Sequence, residues 1–193
     1  MLIVFTMIFA YLLGSLSSAI IVCNLFCLPD PRTQGSGNPG TTNVLRLGGK
    51  KLAGLVLLGD LLKGLIAVMT ARFLIAPDLW GWVGLCAVLG HIYPVFFKFK
   101  GGKGVATAAG VLLGIYWPLG LAVIATWIII AVVFRYSSLA AIIATLTVPV
   151  YGFWLVRPVL LSLGFICILI LFRHKDNIKR LLSGTESKMG KSR

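Results

Sequence analysis

Acidic residues are scarce in this chain: 5 Asp and Glu against 18 Lys and Arg in 193 residues, for a formal net charge of +13. There are only 2 histidines, His91 and His174, far apart in the chain. No cluster has metal-ligand spacing, so no metal or other cofactor is expected. The 4 cysteines, Cys23, Cys27, Cys86 and Cys167, form no C-x-x-C pair and sit in apolar stretches, where they read as small packing residues. Charge as a whole is low, 12% of the chain, where a soluble domain carries about 25%. What is abundant is hydrophobicity, at 59%. No Lys or Arg precedes Arg32, so the first apolar run lacks the basic start of a signal peptide and reads as a retained helix. The basic residues lie between apolar spans. Membrane topology accounts for them, and no nucleic-acid partner is expected.

A membrane helix needs about 20 apolar residues, and 2–28, 52–75, 79–97, 138–156 and 158–172 are candidates. The stretch 104–134 is too long for one helix and short for two. At 1.5 Å per residue, 104–116 reaches about 20 Å and 119–134 about 24 Å. Trp117-Pro118 marks the break between them, because proline removes a helix donor. This gives a single-domain (1–193), all-α integral membrane protein of about seven transmembrane helices, with its N-terminus outside and its C-terminus cytoplasmic. Arg72 and Arg157 then fall outside, Lys63 lies within a span, and the other basic residues fall inside. One helix over 104–134 would put the basic tail from Arg173 outside, against the positive-inside bias. Residues 174–183 read as an amphipathic surface helix, with Ile178, Leu181 and Leu182 toward lipid and Lys175, Lys179 and Arg180 toward phosphates. Residues 184–193 read as a flexible basic tail.

Three polar, glycine-bearing motifs interrupt the apolar pattern: GSGNPGTTNVLR at 35–46, GGKGVAT at 101–107 and RHKDNIKR at 173–180. Seven spans place all three on the cytoplasmic side. The first contains G-x-G-x-x-G, but no strand precedes it in a βαβ unit, so it is no dinucleotide fingerprint. Its glycines expose backbone N–H groups, Asn38, Thr41, Thr42 and Asn43 add neutral hydrogen-bond partners, and Arg46 adds a planar cation suited to phosphate. GGKG feeds a helix N-terminus, an anion site by N–H geometry and helix dipole. Lys103 adds a point charge; the spacing is not that of a Walker loop, and a basic turn between helices is the plain alternative. Thr107 either caps that helix or binds a ligand oxygen. His174 and Asn177 are spaced i, i+3 and share a helix face, and histidine moves protons near neutrality. Ser137 and Ser138 either bind substrate or cap the sixth helix. Asp60 and Lys63 inside the second span either neutralise each other or orient a site residue. His91 reads as a packing or hydrogen-bonding residue.

The ordered set GSGNPGTTNVLR at 35–46, LGDLLKG at 58–64, HIYPVFFKFKGGKGVAT at 91–107 and RHKDNIKRLLSGTE at 173–186 resembles, over nearly the whole chain, the bacterial acyl-phosphate:glycerol-3-phosphate acyltransferases. Thr41 stands where that family usually has Ala, and Lys175-Asp176 where Arg-Glu is commoner. The first helix reads Ser15-Leu16-Ser17-Ser18 where many members have Ile-Pro after the first serine. The resemblance implies acyl transfer from a fatty acyl phosphate to the 1-hydroxyl of glycerol 3-phosphate, giving lysophosphatidic acid, without acyl-CoA or acyl carrier protein. It also implies the bacterial cytoplasmic (inner) membrane, with the active site facing the cytoplasm.

An acyl phosphate is a mixed anhydride with a good leaving group, so the enzyme must hold two anions together and stabilise an oxyanion. On that chemistry Lys103, with Gly101, Gly102 and Gly104, is assigned to the acyl-phosphate head and the developing oxyanion. Ser36, Asn43 and Arg46 are assigned to glycerol 3-phosphate, with Asn38, Thr42 and Thr107 as further substrate-binding residues. Ser138, His174 and Asn177 join Lys103 as the catalytic set, positioning substrate or helping to move the hydroxyl proton. A substrate phosphate and the more remote Asp60 are the other candidate bases. The expected partners are the two substrates, membrane lipid and, at the inner surface, the enzyme that makes acyl phosphate. A small anion transporter is the competing reading; the one-sided motifs and the lack of an internal repeat weigh against it.

Overall fold

The protein is described by a computed structural model over residues 1–189. Among the described residues the regular elements are helices: α1 (Leu2–Gly14), α2 (Ser18–Leu25), α3 (Thr41–Leu74), α4 (Trp80–Ile92), α5 (Val105–Ile115), α6 (Trp117–Phe134), α7 (Ser137–Leu155), α8 (Leu160–Arg173) and α9 (Lys175–Leu182). Four stretches, Thr41–Leu74, Pro77–Phe97, Trp117–Phe134 and Ser137–Leu155, are long and apolar enough to cross a membrane, and two bent pairs, α1 with α2 and α8 with α9, raise the number to 6. α5 has 11 residues, about 16 Å of helix, roughly half the hydrocarbon core. Large apolar side chains cover the outside, including Phe73 at 82%, Val132 at 73% and Trp154 at 76% exposure. Such a surface is stable against lipid, not water. This is an all-α integral membrane protein.

The apolar run at 2–28 is two helices. α1 stops at Gly14 and α2 restarts at Ser18, with a 40° bend between them. The break leaves the Leu16 carbonyl without a helical donor, and Lys63 Nζ donates to it at 2.8 Å. Backbone polar groups at membrane depth require such partners. The second run also extends further than its apolar stretch. α3 reaches back to Thr41, carries most of the first polar motif, and kinks at Gly49 (φ 79°, ψ −174°), a conformation open to glycine. The break expected at Trp117-Pro118 falls at Tyr116 instead. Pro118 sits in the first turn of α6, where its missing N–H has no intrahelical partner to lose. α3 and α5 approach to backbone contact: a Cβ on Gly110 would lie 1.9 Å from the Leu61 carbonyl oxygen.

The core that unites α3 to α8 includes the fully buried Val68, Val88, Val111, Leu119 and Leu163. The connections sort to two ends of this bundle. At one end, Arg32 Nη1 donates to the Phe97 carbonyl at 3.1 Å, Arg173 Nη2 to the Gly101 carbonyl at 3.3 Å, and the Met189 N–H to the Arg135 carbonyl at 2.7 Å. All three polar motifs meet there. At the other end Arg72 donates to the Gly114 carbonyl at 3.0 Å and stacks over Trp80 at 4.9 Å.

Candidate active site

The motif-bearing end opens into a cleft of about 850 Å³ whose head is polar and whose depth is apolar. Four helices begin at it, α3, α5, α7 and the short α9. The Val44 N–H donates to the Gly40 carbonyl at 3.1 Å, the Ala108 N–H to Gly104 at 2.8 Å and the Ala140 N–H to Tyr136 at 3.0 Å. Thr41 and Thr42, Val105 and Ala106, and Ser137 and Ser138 precede those bonds and line the cleft. Their N–H groups belong to the open first turns, where the positive ends of α3, α5 and α7 attract an anion. Thr42 Oγ1 and Ser137 Oγ lie 3.0 Å apart and join two of these ends. Lys103, Arg46, Arg173, Lys175 and Arg180 line the same head. Arg46 is exposed, and its guanidinium has no hydrogen-bond partner among the described residues.

Glu186 ties the catalytic candidates together. Ser138 Oγ donates to its Oε1 at 2.6 Å, Asn177 Nδ2 donates to the same oxygen at 2.7 Å, and Arg180 Nε donates to Oε2 at 2.6 Å. Lys103 Nζ donates to Asn177 Oδ1, so the Asn177 amide bridges ammonium and carboxylate. His174 is buried, with Nδ1 2.8 Å from the Ile170 carbonyl. That contact places the ring proton on Nδ1 and the lone pair on Nε2.

Burial lowers the Lys103 ammonium to about 8; Glu186 opposes the shift, while Arg180 and Arg173 reinforce it. Burial likewise pushes His174 down to about 4, helped by Lys103. Burial raises the Glu186 carboxyl, but the Ser138, Asn177 and Arg180 donors outweigh it and hold the group below its ordinary value.

Several assignments made from the sequence change in detail. Lys103, Ser138, His174 and Asn177 converge on the cleft, as do Arg46, Asn38, Thr42 and the backbone of Gly101 and Gly104. Asn43 touches the cleft but is 1% exposed, with its amide turned into its own loop. Its Nδ2 donates to the carbonyls of Pro31 and Gln34 at 2.8 and 2.9 Å, and its Oδ1 accepts the Ser36 N–H at 2.9 Å. Asn43 therefore shapes the loop, and Ser36 offers its hydroxyl alone. The Gly101 and Gly102 N–H groups cap the end of α4, bonding the carbonyls of Ile92 at 3.2 Å and His91 at 3.1 Å. Gly102 lies against His91 and Pro39, where a Cβ would come 2.2 Å from His91 Nε2. Thr107 is fully buried, and its backbone carbonyl packs on Gly64 of α3 outside the cleft. Residues 184–189, read from sequence as tail, run across the site and carry Glu186; residues 190–193 lie outside the described residues. Glu186 and Arg173 line the cleft with no role given to them from sequence, and Arg180, expected to face lipid phosphates, is turned to Glu186 instead.

Asp60 also reaches the cleft wall, held 2.8 Å from Lys63 Nζ and 3.5 Å from His91 Nδ1. With Lys63 bonded to Leu16, this buried trio links the α1–α2 break, α3, α4 and, through His91, the GGKG loop.

The chain matches the model of the glycerol-3-phosphate acyltransferase family over residues 4–184. It belongs to this family. A glycerol-3-phosphate acyltransferase of Methylococcus capsulatus is 54% identical over 188 residues, 96% of this chain and 95% of that protein. One of Vibrio cholerae is 55% identical over 185 residues, 95% of this chain and 88% of the relative. Among solved structures, PlsY (YgiH), described as an integral membrane glycerol 3-phosphate acyltransferase, matches in its glycerol 3-phosphate form with a TM-score of 0.93 and 43% identity, covering 97% of this chain and 96% of that one. Its lysophosphatidic acid form matches with a TM-score of 0.91. The protein is thus a membrane acyltransferase of the family that the four sequence motifs resemble.

Proposed function

We propose that the protein transfers a fatty acyl group from acyl phosphate to the 1-hydroxyl of glycerol 3-phosphate, releasing lysophosphatidic acid and phosphate. The observation that carries this reading is the joining of one polar head, built from the N-termini of α3, α5 and α7 and five basic side chains, to one apolar trough. The head suits two phosphates, and the trough suits a fatty chain. Arg46, Ser36 and the first turn of α3 hold glycerol 3-phosphate. Lys103 and the first turn of α5 hold the acyl-phosphate head, and they face the oxygen that becomes negative as the hydroxyl adds to the carbonyl. Collapse of that adduct breaks the carbon–oxygen bond to phosphate, a good leaving group that needs no metal. The hydroxyl proton passes to a substrate phosphate, whose second pKa near 6 exceeds that of His174, at about 4. Neutral His174, Ser138 and Asn177 orient the reactants.

Seven spans, counting α5, with the N-terminus outside and the basic end in the cytoplasm, suit the sorting of Arg72 and Arg157 to the opposite end. In this orientation the cleft faces the cytoplasm of a bacterial inner membrane, within reach of the enzyme that makes acyl phosphate. The test is acyl transfer by purified protein to radiolabelled glycerol 3-phosphate, from palmitoyl phosphate or from palmitoyl-CoA. Lysophosphatidate from the phosphate alone supports the donor. Product from the CoA ester alone overturns it. No product from either donor, in a well-folded sample, turns attention to anion transport.

A further inference from the structure

The trough has a floor. On α7, Ser138, Ala141, Thr145 and Val148 line one face. From Ser138 to Val148 the helix rises about 15 Å, half the length of a hydrocarbon core of about 30 Å. At the deep end, side chains from three helices close the space: Val123 of α6 at 7% exposure, Val148 of α7 at 5% and Leu163 of α8 at 0%. They meet because α6 and α8 adjoin α7 through short turns and run antiparallel to it. All three belong to the packed core shared with Leu112 and Ile166. Nearer the head the α6 wall is different. Ile128 lines the trough yet is 50% exposed, which opens that side toward lipid.

We propose that Val123, Val148 and Leu163 set the length of acyl chain this enzyme accepts. The inference rests on the acyl-donor reading above. A chain enters sideways past Ile128, runs down the α7 face and stops at the floor. Packed interiors do not yield smoothly to an extra methylene, so a chain one step too long must displace core atoms or bend back out beside Ile128. Such a misfit costs roughly tenfold or more in kcat/KM.

The experiment measures kcat/KM for saturated acyl phosphates from decanoyl to icosanoyl, for the wild type, Val148→Ala, Leu163→Ala and Val148→Phe. Each profile is normalised to decanoyl phosphate, whose chain stops above the floor. The expected result is an optimum moved to longer chains in both alanine variants. In Val148→Phe the stearoyl-to-decanoyl ratio falls by roughly tenfold. Superimposable profiles across active variants overturn the floor while leaving the donor reading intact. Should the phenylalanine variant fail to fold, the two alanine variants decide alone, and an unshifted optimum in them overturns the proposal. A wild type that transfers no chain from phosphate overturns the donor reading and the floor together.

Discussion

Lys103 makes a prediction that pH alone can test. In the proposed reaction its ammonium must be charged to hold a phosphate and to meet a developing oxyanion. Burial, with Arg180 and Arg173 nearby, lowers it to about 8. The sign follows directly: the active form is the protonated one, present below about 8 and lost above it. At pH 7 about nine-tenths of the free enzyme carries the charge, and at pH 9.5 about 3% does, so kcat/KM for glycerol 3-phosphate falls roughly thirtyfold over that interval. The substrate phosphates complete their ionisation near 6 and add nothing to this limb. Lys103→Arg supplies the control, because a guanidinium stays protonated throughout. The variant loses rate through altered geometry, but its profile is flat from pH 7 to 9.5. The assay is initial-rate lysophosphatidate formation at subsaturating glycerol 3-phosphate, with enzyme re-assayed at pH 7 to confirm that it survived. A wild-type profile flat to pH 9.5, or an identical fall in Lys103→Arg, refutes the assignment.

Arg46→Ala and Lys103→Ala each lower turnover by at least about a hundredfold in protein that still inserts and purifies as a monodisperse sample; near-normal rates in either remove it from the site. Asp60→Asn leaves the Lys63 ammonium buried without its carboxylate, and thermal unfolding in detergent should report a loss of about 3–5 kcal/mol. Glu186→Ala deprives Ser138, Asn177 and Arg180 of their shared acceptor. It should lower kcat/KM by roughly tenfold or more and speed limited proteolysis within 184–189; a protease pattern matching wild type contradicts the anchoring of this segment by Glu186.

Apolar runs and basic punctuation were enough to read a helical membrane protein and to gather the three motifs at one end, because hydrocarbon imposes length and composition on each span. The convergence of Lys103, Ser138, His174 and Asn177 on one cleft was legible for a related reason. Polar groups beside an apolar helix are costly without a task, so few positions compete for attention. The Asn43 side chain suits phosphate by type, but its partners in the fold, the carbonyls of Pro31 and Gln34, depend on a loop path that no periodicity encodes. Glu186 was overlooked because a short basic C-terminal stretch looks like solvated tail, and only the fold back to Ser138 gives its carboxylate a purpose. The α1 break was hidden for the opposite reason. Its compensation is a lysine 47 residues further along, bonded to Leu16.

In the proposed reaction, the shortness of α5 decides which reactant travels. With 11 residues it covers about half the bilayer core, so the turn at Gly104–Ala106, proposed above to hold phosphate, is recessed rather than raised into the aqueous phase. Lifting a fatty chain out of the membrane costs about 0.8 kcal/mol per methylene, or roughly 5 kcal/mol for a half-dozen of them. Glycerol 3-phosphate, small and ionic, exchanges water for waiting donors as it descends. In the proposed reaction the lipid therefore stays at its own depth, and the product is born already dissolved in the leaflet it will occupy.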